Sequence, residues 1–280
     1  MSMAYACKAA ASASHLPRQL RLVCRTDSLS ALRSAVDHGA NSIRLIWRTR
    51  DQPNRGHPEF QRAGLRRAVQ YARRHNCNVS LEVSPACIAP DAMGALLTRA
   101  LDAGIHEIVL SSQKLALYLR VHHPALELQL IADESLSNRR ALTLLRVQLG
   151  IPRVTVPPGL SLALLRELSD IPGMEIEVPV IFPGYAFATG IDNRKPAAMS
   201  PADVVSCSDG TPACNDSVFQ GLPVDPLEAL PHLHLLAATG AFGLLVETAG
   251  HSPARVAQLT GSWRSALDRL HQGSTRLARP

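Results

Sequence analysis

From Arg21 to His271 the chain alternates short, β-branched apolar runs with longer stretches whose apolar residues recur every three or four positions. Side chains repeat every two residues along a strand and about every 3.6 around a helix, so the first pattern predicts buried strands and the second amphipathic helices. Arg21 to Cys24 is the first strand; Asp27 or Ser28 caps a helix with Leu29, Leu32, Ala35 and Val36 on one face, stopped at His38-Gly39. Strands over Asn41 to Trp47, Asn78 to Val83, Glu107 to Leu110, Leu126 to Ala132 and Arg153 to Val156 follow. Helices over Leu65 to His75, Asp91 to Ala103, Leu115 to His122 and Asn138 to Leu149 separate them, with Gly104 and Gly150 as stops. The last units are a Ser161-capped helix through Leu168, a strand from Glu175 to Phe182, a helix over Pro226 to Thr239, a strand over Leu244 to Glu247 and a helix over Ser252 to His271.

Strands that alternate with helices predict a parallel sheet, and because the count reaches eight the expected fold is a (β/α)8 TIM-like barrel rather than an open doubly wound sheet. A single barrel domain over 21–272 accounts for most of the 280 residues, flanked by a disordered N-terminal extension over 1–20 and a disordered tail over 273–280. One segment breaks the rhythm. Between strand seven and its helix, 183–224 has little apolar periodicity and is far longer than a usual βα loop. It is expected at the C-terminal face, where this fold builds active sites.

Composition narrows the function. Lysine plus arginine number 29 against 23 aspartates and glutamates, a net charge of +6 carried almost wholly by arginine. No basic block is interleaved with aromatics, so the expectation is a solvated basic surface, with RNA binding through Arg48, Arg50 and Arg55 as the competing reading. The six cysteines are too sparse for a disulfide scaffold and suit reduced thiols in a cytoplasmic protein. No apolar run approaches the roughly 18 residues of a membrane-spanning helix, so no membrane association is expected.

Candidate chemistry gathers at the predicted barrel mouth. Glu247 ends strand eight, while Asp133 and Glu134 follow strand five, so these carboxylates are placed to act as general bases or to bind a cation or amine. The competing role for Glu247 is an ion pair with Arg25 or Arg44. His57, with Arg48 and Arg55 in the loop after strand two, is a candidate for an anionic small-molecule substrate. Cys207 and Cys214 are the candidate metal ligands, because thiolates bind zinc or iron. His232 and His234 do not share a helix face, which disfavours a metal pair. The chain has no nucleophile elbow, H-E-x-x-H, C-x-x-C, P-loop or G-x-G-x-x-G.

The run LVCRTDSLSALRSAVDHGAN from Leu22 to Asn41 resembles the opening of the collagenase-like peptidase family, peptidase family U-thirty-two. Leu227 to Leu233, Val246 to Val256 and Trp263 to Asp268 resemble its closing motifs, and Ser137 to Ala141 and Arg153 to Pro157 resemble segments between. The resemblance spans roughly residues 20 to 272 and is nearest to the branch of the oxygen-independent ubiquinone hydroxylation proteins UbiU and UbiV. It implies a barrel, a role in hydroxylating a quinone precursor or a nucleobase, and partnership with a homologous paralogue as a heterodimer. Members of that branch hold a [4Fe–4S] cluster through four cysteines. Tyr185 and Asp192 stand where the resemblance puts the first pair, leaving Cys207 and Cys214 for the second, and the family's I-E-G-R motif is reduced to Val246-Glu247-Thr248-Ala249. The expectation is therefore a cluster-free member without the machinery of a peptidase. Either it is a hydroxylase subunit working through Glu247, Asp133 and Asn138, or it is a non-catalytic partner of a cluster-bearing paralogue.

Overall fold

The computed structural model describes residues 20–47, 63–83, 90–180 and 226–277. Eight parallel strands form a closed ring in chain order: β1 (Arg21–Thr26), β2 (Ser42–Trp47), β3 (Asn78–Val83), β4 (Glu107–Leu110), β5 (Glu127–Ile131), β6 (Arg153–Thr155), β7 (Glu175–Pro179) and β8 (Gly243–Glu247). The seam is made by β8 against β1, where Arg25 sits beside Glu247. Among the described residues eight α-helices surround the ring: α1 (Leu29–Asp37), α2 (Ala63–Arg74), α3 (Pro90–Ala103), α4 (Gln113–His122), α5 (Arg139–Leu149), α6 (Leu162–Ser169), α7 (Leu233–Ala237) and α8 (Pro253–Leu277). The (β/α)8 barrel is the fold that the strand–helix repetition predicts.

Capping fixes where the helices begin. Ser28, one of the two residues expected to cap α1, accepts from the Ala31 amide at 3.2 Å, and Ser161 accepts from Leu164 at 3.2 Å. Ser112 and Asn138 do the same for α4 and α5. Each cap satisfies an amide that the first helical turn would otherwise leave unpaired. At the end of α1, Gly39 has φ +91°, and a Cβ there would lie 2.7 Å from the Arg264 Cγ, so both backbone and space require glycine.

Several boundaries differ from the sequence pattern, and proline accounts for the largest difference. The continuous helix expected over Pro226 to Thr239 is a 3-10 segment over Pro226–His232 followed by the five-residue helix α7. Pro231 lies inside it; it has no amide hydrogen, and in an α-helix its ring would clash with the preceding turn. Strand β7 spans Glu175–Pro179, with the Val180 amide donating to the Leu245 carbonyl at 2.9 Å; Phe182, to which the pattern ran, lies outside the described residues. In the other direction, α8 continues to Leu277 rather than ending at His271.

The apolar core is a sleeve between barrel and helices. Leu22 and Cys24 of β1, Ile43 and Leu45 of β2, Ile108 and Leu110 of β4, and Leu244 and Val246 of β8 belong to it, together with Ala31, Leu32 and Ala35 of α1 and Trp263 of α8. Alternate residues of the same strands face the lumen, which sets up the site.

Candidate functional site

In most barrels of this kind the lumen is filled by layers of branched apolar side chains. Here the lumen-facing positions include Arg25, Arg44, Glu82, Gln129, Thr155, Glu177 and Glu247 beside Val23, Ile46, Val109 and Leu245. The direction of the polar side chains follows from their partners. Arg25 on β1 pairs with Glu82 on β3, and Arg44 on β2 pairs with Glu177 on β7. These strands are not neighbours in the ring, so the contacts cross the lumen.

The charges form three tiers. At the mouth, Arg25 donates from Nε to Glu82 Oε2 at 2.7 Å and from Nη2 to Glu82 Oε1 at 2.5 Å, while its Nη1 donates to Glu247 Oε2 at 2.7 Å. Burial alone lowers the pKa of the guanidinium, but attraction to Glu82 and Glu247 and their hydrogen bonds outweigh it and raise it. The other oxygen of Glu247 accepts from the Ala249 amide at 2.9 Å. The turn after β8 is tied down further, since the Thr248 hydroxyl donates to the Arg25 carbonyl at 2.7 Å and the Gly250 amide to Asp27 at 3.2 Å. Glu247 is therefore an anchor joining the first and last strands.

The middle tier is fully enclosed. Arg44, with no exposed surface, donates to Glu177 and, at 2.9 Å, to the Thr155 hydroxyl. Thr155 donates onward to Glu177 at 2.9 Å, and Gln129 donates to Thr155 at 2.9 Å and to Glu177 at 3.3 Å. Among the described residues Arg44 Nε and Nη1 have no hydrogen-bond partner. At the opposite end, Arg153 binds Glu107 at 2.5 Å and Glu175 at 2.8 and 3.0 Å, and its guanidinium lies 4.5 Å from the centre of the Phe242 ring. Burial pushes the Glu107 carboxyl up, with Arg153 pulling the other way. This end carries the amino termini of the strands, the face of a barrel that serves stability.

The residues singled out in the sequence are distributed as follows. Glu247 is at the mouth with its side chain 26% exposed, paired with Arg25, one of the two arginines named for it; the other, Arg44, belongs to the middle tier. Asp133 is exposed and caps the 3-10 turn Glu134–Leu136, accepting from the Ser135 hydroxyl at 2.6 Å and the Leu136 amide at 3.1 Å. Those hydrogen bonds, the Ser135 one foremost, hold its carboxyl below the usual range. Asn138 accepts from the Ala141 amide at 2.9 Å and donates to the Ser135 carbonyl at 3.1 Å. No hydrogen bond or ion pair joins Glu247 to Asp133 or Asn138 among the described residues. Arg48, Arg50, Arg55, His57, Cys207 and Cys214 lie outside the described residues.

Sequence reasoning missed Glu82, Glu177 and Gln129, although a signal was present. Strands of an all-parallel barrel are buried on both faces and should read as continuous apolar runs. SIRLIW, NVSLEV, ELQLI and EIEVP alternate instead, which marks a polar lumen. The basic composition is also partly internal: Arg25 and Arg44 are buried rather than on a solvated face.

No group of three or more histidine, cysteine, aspartate or glutamate side chains placed to hold a metal occurs among the described residues. Cys24 and Cys77, the described thiols, belong to the apolar sleeve, and burial pushes each up to about 12.

No protein-family model matches the chain. Among solved structures, it is similar to native KDPGal, at a TM-score of 0.54 and 10% identity over 91% of this chain and 97% of that one. It is similar also to tryptophan synthase from M. tuberculosis, at 0.52 and 13% over 90% and 93%. The U32 peptidase Mk0906 aligns at 0.49 and 12% over 89% of this chain and 100% of that one. At these identities the first two likenesses concern the fold, and together with the closed ring they define the class: a (β/α)8 barrel with a charged lumen.

Proposed function

We propose that this chain is a non-catalytic component of an oxygen-independent hydroxylation system, acting on a quinone precursor or a nucleobase as the partner of a homologous, cluster-bearing paralogue. The observation that carries this reading is that each polar group assigned to catalysis is already engaged. Glu247 gives one oxygen to Arg25 and the other to the Ala249 amide, the Asp133 carboxylate is held below its ordinary range, and Asn138 spends its side chain on a helix start. A general base works best with a pKa near the operating pH, and a carboxylate lowered by hydrogen bonds moves away from it. The family resemblance along residues 20 to 272 supplies the reaction class and the kind of partner.

The test is co-expression with a cluster-bearing paralogue in the absence of oxygen, with hydroxylated product, iron and acid-labile sulfide measured on the purified pair. Asp133→Asn and Glu247→Gln in this chain are expected to leave turnover within about twofold, since neither removes a group acting in the transition state. A loss of about a hundredfold or more with an intact complex identifies the chain as a catalytic subunit and overturns the proposal.

A further inference from the structure

Among the described residues, large exposed apolar side chains are confined to one sector. They are Leu101, Leu117, Tyr118, Val121, Leu144 and Val147, all on α3, α4 and α5. Val121 and Val147 are 66% and 76% exposed, well beyond what packing on the sleeve requires. Scattered single apolar residues need no explanation, but Leu117 and Leu144, on neighbouring helices, come together on the walls of one groove. Between α4 and α5 runs an open groove of about 570 Å³, with Leu117, Leu136, Leu144 and Leu145 on its walls and Lys114 and Arg140 among its lining.

The charge of this sector says what fits it. Gln113–His122 and Arg139–Leu149 hold Lys114, Arg120, Arg139, Arg140 and Arg146, with no aspartate or glutamate. Three of these arginines donate to neighbouring backbone carbonyls: Arg120 to Leu149 at 2.8 Å, Arg139 to Glu167 at 3.0 Å and Arg146 to Gly173 at 3.0 Å. Lys114 and Arg140 are exposed in the groove and form no ion pair among the described residues. A second copy of the chain is a poor occupant, because a two-fold interface sets each patch against itself and brings like charges together. A concave, leucine-lined channel with cationic walls is instead complementary to a helix that has an apolar stripe flanked by carboxylates.

We propose that the α4–α5 groove is a docking site for an acidic amphipathic helix of a partner protein. Its apolar anchors, spaced at i, i+3 or i+4, and i+7, rest on Leu117, Leu144 and Leu145, and its carboxylates meet Lys114 and Arg140. The groove is on the outer wall, so this inference stands apart from the role proposed for the barrel mouth.

Fluorescence anisotropy with a labelled peptide of about 18 residues, leucine at the anchor positions and glutamate on the flanks, tests it on the full chain. Saturable binding is expected, weakened about tenfold or more in Lys114→Glu/Arg140→Glu and regained by that variant when the peptide glutamates become lysines. Leu117→Asp, at an exposed position, abolishes binding while leaving the far-ultraviolet circular dichroism and melting temperature unchanged. Equal affinity of the wild type for glutamate and lysine peptides, or no binding at about 1 mM, overturns the proposal. So does the finding that the wild type binds phosphatidylglycerol vesicles but not the peptide, or that it forms a concentration-dependent dimer that Leu117→Asp abolishes.

Discussion

Arg25 and Glu82 meet across β2 in a two-point ion pair, with donor–acceptor distances of 2.7 and 2.5 Å and both side chains almost wholly buried. A buried pair broken on one side leaves the other charge without its counterion, a loss of about 3–5 kcal/mol. Arg25→Met is therefore expected to lower unfolding stability by that order, read as a shift of the urea midpoint. Arg25→Lys keeps the charge but cannot span both oxygens, so an intermediate loss is expected. A midpoint unchanged in Arg25→Met would show that the pair contributes nothing net.

The middle tier lends itself to a double-mutant cycle. Arg44 and Glu177 are joined by a direct ion pair with Thr155 and Gln129 around it, and both side chains are essentially inaccessible. Arg44→Met and Glu177→Leu are each expected to cost about 3–5 kcal/mol, whereas the double variant recovers most of that loss, because two apolar residues of similar volume leave no stranded charge. Additive losses in the urea denaturation cycle would mean that the two residues act independently.

How far the sequence revealed this arrangement depended on which periodicity was followed. The 3.6-residue pattern located the helices, and Ser28 and Ser161 cap as the pattern implies, whereas Asn138, read as the first residue of its helix and as a catalytic candidate, is a cap. The two-residue pattern held more than the fold. In NVSLEV, Leu81 and Val83 join the apolar sleeve while Glu82 faces Arg25 across the lumen. The residue type alone could place Glu82 neither inside nor outside; that needs the ring to close, because its partner is 57 positions away in sequence. Asp133 illustrates the opposite case. Its position after β5 was legible, but its local hydrogen bond to Leu136, which turns a mouth carboxylate into a cap, depends on the 3-10 turn that follows.

Glu107 makes the stability of the barrel depend on pH. Its folded-state pKa is raised above the ordinary 4.5, chiefly by burial. The folded state then holds this proton more tightly than the unfolded chain does, so the stability linked to it is fully present below pH 4.5 and is lost as pH rises through the folded value. Glu107→Gln, which cannot ionise, removes that dependence. The stability of the wild type relative to Glu107→Gln is expected to decline from pH 4.5 upward and then level off, measured by urea unfolding at fixed ionic strength. A difference that stays flat or grows over that range would mean that Arg153 holds the carboxylate ionised throughout.

The two described cysteines give a prediction that needs no variant. Cys24 faces α8, where its sulfur lies 3.5 Å from the Thr260 hydroxyl, and Cys77 lies in the same apolar sleeve just before β3. Burial pushes both thiols up to about 12. The thiolate is the nucleophile, so at neutral pH each site is both shielded and almost entirely in its unreactive form. Peptide mapping after brief treatment of the native protein with iodoacetamide is expected to find Cys24 and Cys77 unmodified, and the same treatment in concentrated urea to find both alkylated. Labelling of Cys24 under native conditions would require β1 to part from α8 far more often than global unfolding allows. It would place the least stable part of the barrel at the seam that Arg25 and Glu247 hold together.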